Sequence, residues 1–147
     1  MRAIVQRVSG ATATVEGRIR GQIGRGLLVL LGVARANTLA DATFLADRIV
    51  GMRVFADNSG KMNLAIGAVG GELLVVPQFT LHADTSQRRP SFVAAAPRSD
   101  ARRLYETFLS LARQSGVKVE EGQFGARMRV ELVNDGPVTI ILDSRNG

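Results

Sequence analysis

"GLLVLLGV", residues 26–33, decides the fold. The run is too short for an isolated helix, is built of Leu and Val, and is bounded by glycine. "ELLVVPQF" (72–79) and "PVTIILD" (137–143) share its character. All three read as central strands buried on both faces, as in a sheet covered on both sides. Buried helix segments are the alternative, because periodicity alone does not separate the two.

Working outward, "ATATVEG" near the N-terminus alternates like a strand, and the neighbourhoods of Gly17 and Gly21 read as turns. Thr38 is placed to cap a helix over 39–50 whose stripe is Leu39, Ala42, Leu45, Ile49 and Val50. Ser99 is placed to cap a second helix over 100–115, with Leu104, Phe108, Leu111 and Ala112 on one face and Gly116 ending it. A strand at 52–55 precedes a turn at "ADNSGK" (56–61). Residues 80–97 show no period and read as a long loop, a length that usually carries function or mobility. The order is strands, helix, strands, loop, helix, strands. That predicts an α+β fold of mixed and antiparallel β-sheets, barrel-like, with two packed helices, as a single domain over 1–147.

The net charge is +6, and Lys61 and Lys118 are the only lysines among 19 basic residues. An arginine-rich surface of this kind fits a phosphate-rich partner such as RNA or DNA. Codon bias and solubility are the competing explanation. Aromatics make up 5% of the chain, with no Trp, which argues against a platform that stacks successive bases. Cysteine is absent, so disulfides and thiolate chemistry are excluded. No apolar run reaches the length of a membrane span, and "MRAIVQRVSG" lacks the pattern of a signal peptide. A soluble, cytoplasmic protein without membrane attachment is expected.

The ordinary catalytic inventory is thin. His82 is the sole histidine and reads as a solvent-facing loop residue rather than a triad member beside Asp84 or Ser86. One His and no Cys make a zinc site improbable, and no metal or cofactor is expected. Glu120 and Glu121 are adjacent, so on a strand their side chains diverge. The glycines of "GRGLLVLLG" and "GAVGG" match neither phosphate-loop fingerprint and read as turn residues. Thr80, after "PQF", is a hydroxyl at a strand end; it is a candidate nucleophile without a visible base, or a group that hydrogen-bonds the backbone. Backbone groups can themselves hold an oxyanion or grip an ammonium. Gly136-Pro137 invites that reading, since proline leaves the ladder and glycine allows close approach. A cis bond would let both flanking carbonyls point the same way, yet cis accounts for only about 5–6% of X-Pro bonds. The residues alone favour a trans proline opening the last strand.

Together, "VNDGPVT" (133–139), "PQFTL" (77–81), "GKMNL" (60–64), "RRPSF" (88–92) and the opening "VQRV" with its following glycines resemble the D-aminoacyl-tRNA deacylase family from end to end. The resemblance implies a homodimeric hydrolase that cleaves the ester between a D-amino acid and the 3′-terminal adenosine of tRNA, and that also removes glycine from mischarged tRNA. Asn134, Gly136, Pro137 and Thr139 match the motif whose Gly-Pro bond is cis and enters the partner subunit's pocket. Its carbonyls there hold the α-amino group and exclude L side chains by shape. Gln78, Phe79 and Thr80 match the family's catalytic motif, but Pro77 stands where the family has serine. A related subgroup that clears L-alanine carries Pro-Gln there with a different Gly-Pro motif, so Pro77 bears on the substrate range. The chemistry implied is an attack assisted by the ribose 2′-OH, with N–H groups near Phe79 and Thr80 holding the carbonyl oxygen. Phe124 and Met128 would wall an adenine pocket or simply fill the core. Arg88, Arg89, Arg102 and Arg103 are candidates for tRNA phosphates. A non-catalytic RNA-binding module and a Thr- or Ser-nucleophile hydrolase of small esters are the rival classes.

Overall fold

The computed structural model describes residues 1–146. A fourteen-residue strand, β1 (Arg2–Val15), organises it. The first half of β1 pairs antiparallel with β3 (Gly26–Gly32), and its second half with β2 (Arg18–Ile23). A tight turn at Glu16-Gly17 joins β1 to β2, both residues having positive φ (49° and 77°). β3 then pairs in parallel with β6 (Glu72–Pro77), and β6 with β7 (Lys118–Glu121). The sheet nearly closes on itself, because β2 returns against β7. A Cβ at Gly21 would lie 2.5 Å from the Glu121 carbonyl oxygen. Gly21 is therefore a strand residue held bare for close approach, not the turn the sequence suggests.

Two cores explain why β3 and β6 are apolar on both faces. Leu27, Val29 and Leu31 of β3, with Leu73 and Val75 of β6, face the helices α1 (Leu39–Gly51) and α2 (Arg98–Gln114). Leu28, Leu74 and Val76 face the barrel interior, where Val8, Ala13 and Ile23 meet them. Each such side chain contributes about 1.5–3 kcal/mol by leaving water. The central-strand reading of 26–33 and 72–79 therefore holds, with β6 ending at Pro77 and a 3-10 turn taking over at Phe79–His82.

The third apolar run differs. It belongs to β8 (Arg129–Asp143), twice as long as the sequence suggests, which pairs with β1 alone. Its side chains alternate between half-buried and exposed, and Val133 and Ile141 are 63% and 70% exposed. It is an edge strand and not a central one. The Gly136–Pro137 bond is cis, against the trans expectation from the residues alone.

α1 begins where expected: the Thr38 N–H donates to Asp41 Oδ2 at 2.7 Å, satisfying an end group of the helix. Leu39 leaves the expected stripe and is 60% exposed. Asp41 is instead buried, and its carboxylate takes the Arg145 guanidinium at 2.7 Å and the Ser144 hydroxyl at 2.6 Å. α2 starts two residues earlier than expected, with Pro97 rather than Ser99 at its cap position. The expected strand at 52–55 shrinks to β4 (Phe55–Ala56), paired with β5 (Met62–Leu64) across a turn gathered on the Asp57 carboxylate. The long loop is ordered by bridges between Asp84 and Ser91 and between Ala34 and Ala95.

His82 corrects another expectation. It is 8% exposed, at the end of the 3-10 turn and against Gly32, and its Nε2 has no hydrogen-bond partner. Burial pushes its pKa below the ordinary imidazole value, while a backbone hydrogen bond to Gly32 acts the other way. The unfolded chain takes up a proton as pH falls through about 6.5, and the folded chain resists it until lower pH. Stability is therefore complete above about pH 6.5 and declines below it. Urea unfolding midpoints should fall from pH 7 to pH 5 in the native protein and fall less in His82→Gln. Equal slopes for the two proteins would contradict this assignment.

Candidate active site

The parallel ladder ends in a way that builds a site. Pro77 pairs with Leu31 but offers no N–H. The next residue restores the ladder once, as the Gln78 N–H donates to the Leu31 carbonyl at 2.8 Å. The chain then turns away through Phe79–His82, and the Gln78 carbonyl accepts from the Leu81 N–H at 3.2 Å. Phe79 and Thr80 open this turn, so their N–H groups have no acceptor within it. The Gln78 side-chain amide donates to the Thr80 hydroxyl. That contact replaces the backbone bond expected for Thr80.

A cleft of about 720 Å³ opens at this end of β3 and β6. Pro77, Gln78 and Phe79 form one side. Phe92, Ala95, Ala96 and Pro97 come from the long loop, and Arg98 and Tyr105 from α2. Phe124, Ala126 and Met128 come from the loop between β7 and β8. Phe79 is 57% exposed and meets Phe92 edge to face, with centroids 5.2 Å apart. Phe124 tilts over Tyr105 at 5.7 Å. The Tyr105 hydroxyl is already committed, donating to the Val75 carbonyl at 2.9 Å, and burial pushes its pKa well up. It is a neutral donor that shapes the floor of the cleft. Met128 folds back against Gly122, where a Cβ would stand 2.7 Å from its sulfur. Among the described residues, no carboxylate lines the cleft, whereas Arg35 and Arg98 do. His82 does not line it. Among the described residues, no group of three or more His, Cys, Asp or Glu is placed to hold a metal.

Asn134, Gly136, Pro137 and Thr139 do not line this cleft. They lie where the β1–β8 register breaks: Asn134 pairs with Val8 and Thr139 with Gln6, leaving 135–138 outside the pairing. Asn134 Oδ1 accepts from the Val138 N–H at 3.0 Å, and its Nδ2 donates to the Thr139 hydroxyl at 3.0 Å. These two side chains brace the projecting Gly-Pro segment. Arg7 clamps it from beneath, donating to the Asp135 carbonyl at 2.9 Å and the Val54 carbonyl at 2.6 Å. Gly136 and Pro137 themselves are exposed. Of the arginines singled out in the sequence, Arg102 pairs with Glu106 at 3.1 Å and Arg103 lies 3.8 Å from Asp100. Neither these nor Arg88 and Arg89 line the cleft.

Sequence reasoning assigned no site role to Phe92, the last residue of "RRPSF", or to Tyr105, Arg98 and Arg7. Tyr105 was within reach, standing beside Leu104 on the buried face of α2. The other three depend on contacts between segments far apart in the chain, which no local pattern displays.

The chain matches the family model described as D-Tyr-tRNA(Tyr) deacylase over residues 4–143. It is 56% identical over 146 residues to the D-aminoacyl-tRNA deacylase of Anaeromyxobacter dehalogenans, covering 99% of this chain and 98% of that one. It is 54% identical over 145 residues to the D-aminoacyl-tRNA deacylase of Thermotoga petrophila, covering 98% and 97%. A solved structure described as c-Myc DNA Unwinding Element Binding Protein superposes with a TM-score of 0.92 at 39% identity, over 97% of this chain and 98% of that one. A second, of a probable eukaryotic D-amino acid tRNA deacylase, shares the fold at a TM-score of 0.85 and 16% identity, over 96% and 97%. Among the described residues, no helix is long and apolar enough to cross a membrane. With one family model spanning nearly its whole length and relatives more than half identical, the chain belongs to the D-Tyr-tRNA(Tyr) deacylase family.

Proposed function

We propose that this chain hydrolyses the ester joining a D-amino acid to the 3′-terminal adenosine of tRNA, releasing both. The family match over residues 4–143 is the observation that carries this reading. The cleft supports it chemically. Its aromatic wall of Phe79, Phe92 and Phe124 suits a purine, with Met128 behind it, and its two arginines suit an anionic polymer.

The reaction needs little from the side chains. The unpaired N–H groups of Phe79 and Thr80 hold the carbonyl oxygen as charge develops on it. Thr80 has no base beside it: its hydroxyl takes the Gln78 amide, and the sole histidine is buried away from the cleft. A bound water supplies the nucleophilic oxygen, the ribose 2′-OH beside the ester orients it and relays its proton, and the 3′ oxygen leaves as the ribose hydroxyl.

Stereochemistry is read by the Gly136-Pro137 segment of a second copy. Its exposed carbonyls accept hydrogen bonds from the substrate ammonium, and an L side chain would collide with the motif. Glycine has no side chain to collide, so glycyl-tRNA is also a substrate. Pro77 removes a hydroxyl and an N–H from the substrate end, which loosens discrimination there. The homodimer this requires is supported by β8, whose outer edge has no partner strand among the described residues and presents Val133 and Ile141. The tRNA substrate implies the cytoplasm as the working compartment.

Deacylation of D-Tyr-tRNA, L-Tyr-tRNA, Gly-tRNA and L-Ala-tRNA tests the assignment. D-Tyr-tRNA should be cleaved about a hundredfold faster than L-Tyr-tRNA, and ending the tRNA in 2′-deoxyadenosine should remove a similar factor. Binding without release of amino acid would leave an RNA-binding module. Full turnover of the deoxy substrate would exclude the assisted chemistry. Thr80→Ala should stay within about tenfold of the native rate, whereas losing a true nucleophile costs about a millionfold. A trapped acyl-enzyme on Thr80 would favour the small-ester hydrolase instead.

A further inference from the structure

The candidate cleft has a neighbour. A second groove of about 470 Å³ runs beside the β1–β2 turn, lined by Glu16, Arg18, Arg20, Gln123, Ala126 and Arg127 among others. Ala126 lines both cavities, so they adjoin across the loop between β7 and β8. Gly125, within that loop and lining the cleft, has a φ of +77°, and the Arg98 guanidinium lies against it, in the space a side chain there would fill.

The cations along this route are set apart by their placement and not by being unpaired, since about half of the other cations also stand clear of a carboxylate among the described residues. Arg2, Arg7, Arg102, Arg103, Arg113 and Arg145 are each within 4 Å of a carboxylate. Arg98, Arg127 and Arg18 make no ion pair among the described residues, and Arg20 reaches Glu121 only at 3.9 Å. Three arginines against the single carboxylate of Glu16 leave the second groove positive. The two cavities also divide by chemistry. The cleft carries aromatic rings, while the second groove has none in its lining. The first can stack a base; the second can only neutralise phosphate and read no sequence.

We infer that Arg98, Arg127 and Arg18 mark the path by which the phosphodiester backbone of the tRNA 3′ strand leaves the cleft. This rests on the deacylase reading above and adds the direction of the RNA across the surface. The terminal nucleoside sits in the aromatic cleft, the strand crosses the loop at Gly125 and Ala126, and the preceding phosphates lie in the arginine groove. Contact with backbone alone suits an enzyme that must accept tRNAs of differing sequence.

The test compares two substrates on the native protein and on the double variant Arg18→Ala/Arg127→Ala. One is full-length D-Tyr-tRNA; the other is D-tyrosyl-adenosine, which has no phosphates. The variant should raise KM for D-Tyr-tRNA about tenfold or more, leave kcat in place, and leave turnover of the adenosine ester as in the native protein. The dependence of log(kcat/KM) on log salt should become shallower by about 1.4, for two lost phosphate contacts on a single strand. The Arg18→Lys/Arg127→Lys variant should keep most of the affinity, as point charges suffice for phosphate. An unchanged KM for the tRNA, or an equal loss on the adenosine ester, would overturn the path. Failure of the native protein on both substrates would instead overturn the deacylase reading.

Discussion

The last rung of the β3–β6 ladder is the contact on which the rest depends. Pro77 gives no hydrogen, so the Gln78 N–H to the Leu31 carbonyl, at 2.8 Å, closes the ladder alone. One residue further, the chain can no longer follow β3 and must turn. That turn frees the N–H groups of Phe79 and Thr80 and pushes the Phe79 ring outward against Phe92. The pair holds its line because it is buried on both faces, with Leu27 and Leu73 under the helices and Leu28 and Leu74 in the barrel. A core built for stability thus delivers a strand end to the cleft, and the rigidity of the site comes from the sheet behind it.

The Gly136-Pro137 segment is positioned by a failure of pairing. β1 and β8 run together over most of their length, then part company between Asn134 and Thr139. The unpaired piece could sag, but Asn134 ties its two ends and Arg7 fastens Asp135 to the Val54 carbonyl. Gly136 has a φ of +140°, and a Cβ there would lie 2.7 Å from Val138 Cγ2, so only glycine fits without strain. Within one chain this projection and the cleft do not meet. Each is finished structure with an unfinished purpose, which is the arrangement expected when a second copy completes the site.

Much of this was legible in the residues. The two double-faced strands announced themselves as unbroken apolar runs, and both helices showed in their apolar stripes, though the cap of α2 fell on Pro97 and not on Ser99. β8 misled for a physical reason: "PVTIILD" is as apolar as a central strand, and the run does not say whether a sheet neighbour lies on one side or on both. His82 misled because a polar ring at a turn looks exposed until Gly32 is seen beside it. Leu39 stood on the apolar stripe while Asp41 took the buried place, because Arg145, from the far end of the chain, compensates the carboxylate. The segments 77–80 and 134–139 stood out in the sequence as motifs, but the contacts of Arg7 with Asp135 and of Tyr105 with Val75 did not. Those contacts join segments separated by tens of residues.

The central claim is that the Gly136-Pro137 segment acts in the cleft of another copy. Mixed dimers test it most directly. One protomer would carry Gly136→Ala, which spoils the projecting segment, and the other Ala96→Trp, which fills the cleft; each alone should form inactive homodimers. After random mixing, about half the dimers are mixed, and each contains one site with both parts intact. Activity on D-Tyr-tRNA should therefore recover to about a quarter of the native value. If the mixture stays as inactive as the separate variants while mixed dimers are demonstrably present, the segment serves its own chain and the account is wrong.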